Sequence, residues 1–407
     1  MKHLAYGTQI SKPGNERIPM DMDLYKRLAR HLDDLPGGYP ATESGVEIRI
    51  LEELFTPEEA QLALHLSLVS EEARVVALRA DLPVAEVTAR LEEMERKGLL
   101  VASHDPGQPV RYMALQFVVG IWEFQVGRLT PELVRDFEEY LPFLFDAEAW
   151  RSAPQLRTVP VHEAIDPDLE ILSYEKAEEL VEAHDSFTVT PCICRSEMRL
   201  EGKGCDKPLE TCLSFGSSAD FYQMSGAGRA ITREEALEVL KKADQAGLVL
   251  SPGNAQDASF ICACCGCCCG VLRSLKFQEN PAELVSTPFV ARVCTEDCIG
   301  CRKCISRCQM DALKMEGRKV RLDPGRCIGC GLCVTTCPTR CIELVRKPEA
   351  EQPFIPKNIA GTTIRLGKAR GKLSNVKLVR MVLKSRIDRL RVPKLGRRGG
   401  SDGKTGN

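Results

Sequence analysis

Eight of the twenty cysteines in this 407-residue sequence fall into two copies of one pattern, C-x2-C-x2-C-x3-C. The first copy is Cys298, Cys301, Cys304 and Cys308; the second is Cys327, Cys330, Cys333 and Cys337, followed by Pro338. Loops of this kind wrap three thiolates around one iron–sulfur cube and leave the fourth ligand to come from elsewhere. Here the other repeat supplies it. Cys298, Cys301, Cys304 and Cys337 are expected to hold one [4Fe–4S] cluster, and Cys327, Cys330, Cys333 and Cys308 a second. Clusters that exchange ligands in this way lie close together, and closeness suits electron hopping.

Ten further cysteines lie between residues 192 and 269. Cys192, Cys194, Cys205 and Cys212 form a first group, with Arg195 next to Cys194. Cys262, Cys264, Cys265, Cys267, Cys268 and Cys269 form a second. Four thiolates suffice for one metal centre, whereas six within eight positions exceed what one cube can use, since neighbouring cysteines point in different directions. At least one additional iron–sulfur cluster is expected here, with zinc the main rival because Zn²⁺ also accepts four thiolates. Sequence order alone does not say which cysteines share a metal. A helix over Thr232–Ala246, with Thr232 as cap, Glu235 three residues on and Gly247 as stop, could bring the groups together.

These ligands need a scaffold, and the chain is long enough for several domains. An α+β, multidomain architecture is expected. It comprises an N-terminal segment (1–42), a winged-helix-like domain (43–117), a helical connector (118–185), a Cys-rich metal-binding module (186–289), a two-cluster domain (290–347) and a basic tail (348–407). Met1 to Met20 holds no apolar run, so neither an export signal nor a membrane span is visible, and a cytoplasmic location with reduced thiols is expected. Pro142, Pro154, Pro160 and Pro167 are expected to break the connector. The histidines, His31, His65, His104, His162 and His184 among them, are scattered without ligand spacing.

In residues 43–117, helices are expected at Val46–Phe55, Pro57–Leu68, Ser70–Arg79 and Val84–Lys97. A hairpin over Leu99–Ser103 and Val110–Leu115 follows. Such a pattern invites a DNA-binding reading, but this segment carries fourteen Asp and Glu against seven Lys and Arg. Its would-be recognition helix holds Glu86, Glu92, Glu93 and Glu95. Phosphate neutralisation needs the opposite sign, so partner docking is expected instead of DNA. The tail inverts this balance: from Arg346 to Asn407 there are seventeen Lys and Arg against four Asp and Glu. Leu373, Val376, Val379, Val382, Leu383, Ile387 and Leu390 recur there at helical spacing among Lys377, Arg380, Lys384, Arg386 and Arg391. This predicts a basic amphipathic helix able to meet an acidic partner, an anionic membrane surface, or the chain's own acidic body.

The two cysteine repeats are offset by 29 positions (298 to 327, 308 to 337). Over about residues 290–347 they resemble the bacterial two-[4Fe–4S] ferredoxins. The resemblance implies two βαβ-like halves related by a pseudo-twofold axis, with single electrons passed through the clusters between them. Gln309 departs from the family pattern, standing where proline follows the fourth cysteine; Pro338 keeps that place in the second copy. Cys294 and Cys341 fall outside the pattern, and Cys341 is expected to be a small buried residue. The whole layout is similar to cytoplasmic iron–sulfur proteins of anaerobes, in which a winged-helix-like region precedes a CxCR and Cys-rich region and a terminal ferredoxin unit. These readings imply an electron-transfer subunit serving a partner oxidoreductase. Two rival readings are an oxidoreductase with its own catalytic centre among the central cysteines, and a redox-sensing regulator using the winged helix. No catalytic residue is assigned.

Overall fold

The computed structural model describes residues 23–161, 164 and 171–392. The Met1–Met20 stretch, His162, Pro167 and the tail beyond residue 392 lie outside these. Among the described residues no helix is long and apolar enough to cross a membrane.

Helices Leu24–Asp33, Val46–Leu54, Pro57–Ala63, Ala73–Ala80 and Val84–Arg96 build the first body. The third starts where local chemistry requires: Thr56 accepts from the Glu59 amide, Glu59 accepts from the Thr56 amide, and Pro57 occupies the first turn. Strands Leu100–Ser103 and Arg111–Ala114 form a hairpin, and Glu71–Glu72 adds a short edge beside the second. The core of this body takes in residues from Leu28 to Tyr140 together with Ile193. Tyr39, Phe117, Trp122, Phe137 and Tyr140 form one cluster in which Trp122 stacks on Phe137 with ring centroids 3.8 Å apart. Helix Pro131–Leu144 runs through Pro142. A proline in the last turn forfeits one ladder bond, and buried Phe137 and Tyr140 hold the turn against the core.

A five-stranded antiparallel sheet organises the central body. Its order is Arg229–Ile231, Phe187–Pro191, Glu210–Phe215, Phe260–Cys264, Val249–Pro252. Helix Arg233–Gln245 carries the anticipated Thr232–Glu235 capping box. The central core contains Leu213, Phe215, Leu240 and Ile261, and also takes in Met310, Ile328 and Leu332 from the segment that follows.

In that segment, strand Phe289–Val293, helix Lys303–Arg307 and strand Leu313–Glu316 are echoed by Lys319–Leu322, Leu332–Thr335 and Ile342–Arg346. The strands do not pair within each half as a βαβ unit implies. Leu313–Glu316 pairs antiparallel with Lys319–Leu322, because only Gly317 and Arg318 join them, and the first strand pairs with the last. The chain then runs back over the central body, where the Gln256 and Asp257 amides donate to the Pro356 and Lys357 carbonyls. Helices Ile359–Ala369 and Asn375–Arg391 end the described chain.

Candidate metal centres

The internal duplication extends from ligands to backbone conformation. Gly300 and Gly329, Arg302 and Gly331, and Asp311 and Arg340 all have positive φ, and each pair lies 29 positions apart (300 to 329, 302 to 331, 311 to 340). Glycine is required within each C-I-G-C loop. A Cβ at Gly300 would meet the Arg318 carbonyl oxygen at 2.4 Å, and one at Gly329 the Phe289 carbonyl oxygen at the same distance. These loops deliver the cysteines to two cavities. One is lined by Cys298, Cys301, Cys304 and Cys337, the other by Cys308, Cys327, Cys330 and Cys333. Each cavity thus collects three cysteines from one repeat and one from the other.

Backbone amides point at these sulfurs. Val320 N–H donates to Cys298 Sγ and Ala291 N–H to Cys327 Sγ, both at 3.4 Å, while Ala312 N–H donates to Cys308 Sγ at 3.3 Å. Such bonds favour the thiolate a cluster requires: the Val320 amide, followed by Gly300, draws the Cys298 thiol below its ordinary range. Burial pushes Cys330 the other way, up to about 12, so metal binding there must displace a firmly held proton. Cys341 is buried as expected, but it also lines the first cavity, with its Sγ 3.5 Å from Cys337 Sγ. Its offset partner is Ala312, so the repeat gave no sign of this. Cys294 is exposed near Glu296 and Asp297.

The ten central cysteines sort differently from their order in sequence. Cys205 leaves its group and joins Cys265, Cys267 and Cys268, the four sulfurs lying within 4.8 Å of one another. The reason is strand pairing. Cys212 sits directly opposite Cys262 on neighbouring strands, which draws the remaining cysteines together. Cys192, Cys194, Cys269, Cys264, Cys262 and Cys212 adjoin in series. Cys194 enters from the first turn of helix Ile193–Leu200 and Cys269 from the cap of helix Gly270–Lys276. Hydrogen bonding to Cys194, then burial, pushes the Cys192 thiol well up.

Arg195 stands between the two sets, fully buried. It donates to the Ala263 carbonyl at 3.0 Å and to Thr211 Oγ1, and its Nη1 lies 3.8 Å from Cys265 Sγ. Burial alone would push the Cys265 thiol up, but the Arg195 guanidinium outweighs it and holds the thiol at about 7. Gln309 proves to be a joint between the bodies. Its Oε1 accepts from the Gly266 amide at 2.9 Å, and a Cβ on Gly266 would meet the Gln309 carbonyl oxygen at 2.1 Å. Proline in its place would leave the Gly266 amide without that acceptor. Nearby, Arg307 pairs with Asp244 at 2.6 Å, and Arg326 donates to the Met310 and Lys276 carbonyls.

No curated protein and no solved structure matches the chain. Residues 291–344, which carry both cysteine repeats, match the family described as the 4Fe-4S dicluster domain, so this chain contains an iron–sulfur domain of ferredoxin type within a mixed helix-and-sheet protein.

Proposed function

We propose that this protein passes single electrons between two [4Fe–4S] clusters and a partner oxidoreductase. Cys298, Cys301, Cys304 and Cys337 hold one cluster and Cys308, Cys327, Cys330 and Cys333 the other. The observation that carries this reading is the pair of cavities, each drawing cysteines from both repeats. When bound, the clusters supply one-electron chemistry; the chain positions the thiolates, aims amide donors at them and keeps them near one another. A further iron–sulfur cluster is proposed at Cys192, Cys194, Cys212, Cys262, Cys264 and Cys269, which adjoin the same core. The winged-helix-like first body and the outward face of helix Asn375–Arg391 serve docking. That face exposes Val376, Val379, Leu383 and Leu390 among basic residues, which suits an acidic partner or, at the periphery, an anionic membrane.

Anaerobic iron and acid-labile sulfide determination, with EPR of the dithionite-reduced protein, tests this. About eight irons and eight sulfides correspond to the paired clusters, and about twelve or more to further centres. Absence of sulfide overturns the reading. The second reading, an oxidoreductase with its own centre among the central cysteines, is favoured by the small, partly open cavity of about 20 Å³ that Cys264 and Cys269 line with Arg157, Thr158 and Ser251. A substrate-dependent spectral change in the isolated protein would select it over the carrier.

A further inference from the structure

Among the described residues, Cys205, Cys265, Cys267 and Cys268 are the only cysteine, histidine or carboxylate group whose ligand atoms all lie within 4.8 Å of one another. Closer still, Cys205 Sγ is 3.9 Å from Cys265 Sγ and 3.6 Å from Cys268 Sγ, which is itself 3.7 Å from Cys267 Sγ. Four thiolates bound to one tetrahedral ion at about 2.3 Å are separated from each other by about 3.8 Å. Four thiolates on the corners of an iron–sulfur cube each bind a different iron and must stand further apart. The same chain provides the comparison, since neither ferredoxin-type cysteine set draws three sulfurs within 4.8 Å.

We propose that Cys205, Cys265, Cys267 and Cys268 bind one divalent transition-metal ion as a mononuclear tetrathiolate site, and not an iron–sulfur cluster. Three ligands come from one tight loop after strand Phe260–Cys264, and the fourth from the loop after helix Ile193–Leu200. The ion therefore clasps two segments 60 residues apart (205 to 265). A dication with four thiolates carries a net charge of −2, and the buried Arg195 guanidinium beside Cys265 offsets part of it. Within the same loop, Gly266 donates to Gln309, the residue after Cys308. The site thus fixes the surface on which the second ferredoxin-type cavity rests. Zinc and iron both satisfy the ligand set; zinc would make the clasp redox-silent, iron a one-electron stepping stone.

The test uses the full-length chain purified without oxygen. Metals by mass spectrometry and acid-labile sulfide are measured for wild type, Cys205→Ala and Cys267→Ser. Each variant is expected to lose one metal ion per chain with sulfide unchanged, and the element lost tells zinc from iron. Loss of about four irons together with about four sulfides overturns the proposal in favour of a cube, and so does unchanged metal in both variants. Cys267 is exposed, so its substitution disturbs packing least. Should both variants fail to fold, native mass spectrometry of the wild type decides. A mass that includes one ion beyond whole clusters upholds the site, and a mass made up by whole clusters alone removes it. A protein lacking sulfide altogether would sink the electron-carrier reading while leaving this ion in place.

Discussion

Glu197 shows how strongly one side chain can report its surroundings. It is buried beneath Trp122, whose indole N–H donates to it, and burial raises its carboxyl to about 8. Because folding raises this pKa, the stability it contributes is fully present below the ordinary carboxyl range and is lost as pH rises to about 8. Glu197→Gln keeps an acceptor for Trp122 and abolishes the titration. It is expected to gain roughly 2–4 kcal/mol on wild type between mildly acid and mildly alkaline pH, measured by urea unfolding across that range. At Gln309 the expected outcome is a loss: Gln309→Ala leaves the Gly266 amide unpaired and costs about 1–3 kcal/mol, with both ferredoxin-type sites keeping their iron. The departure of Gln309 from proline was visible in the sequence, but its partner was not. Gly266 lies 43 positions earlier (266 to 309) and in another body, and nothing local to either residue signals the contact.

At the scale of elements, periodicity and caps were read with good fidelity and orientation was not. The helix after Ser374 runs over Asn375–Arg391 where the apolar spacing places it. Yet the face it turns inward is polar: Ser385 and Asp388 are buried, while Val376, Val379 and Leu390 are exposed. A buried charge prevails over apolar area here. Arg79 is held between Glu71 and Asp388 at 2.6 and 2.8 Å, and a guanidinium at that depth needs both. Asp388→Ala is expected to cost about 1–3 kcal/mol and to expose the helix to trypsin, with the cleavage rate as the measurement. The cysteines divide along the same line. The eight repeated ones line two cavities in the grouping that their regular spacing sets out, whereas the sorting of the other ten depends on strand registration such as Cys212 opposite Cys262, which order along the chain does not encode.

For the whole molecule, packing reaches across segments: Met310, Ile328 and Leu332 of the ferredoxin-type segment lie in the central core, and Ile193 lies in the core of the first body. Composition and loop residues marked where segments change, but aromatic and aliphatic side chains on either side decide whether a gap exists. Truncation after residue 347 leaves the pairing of Phe289–Val293 with Ile342–Arg346 intact. That variant is therefore expected to keep its ferredoxin-type iron while its melting temperature falls by several degrees, roughly as a loss of a few kcal/mol implies; calorimetry with iron analysis checks both. The returning segment has a further consequence. Arg370 and Lys372 both reach Asp33, at 3.4 and 2.5 Å, so the beginning and the end of the described chain are fastened to each other. Pulling the first described helix away from the last would load this clasp together with the Arg79–Asp388 pair before strain reaches the ferredoxin-type sites.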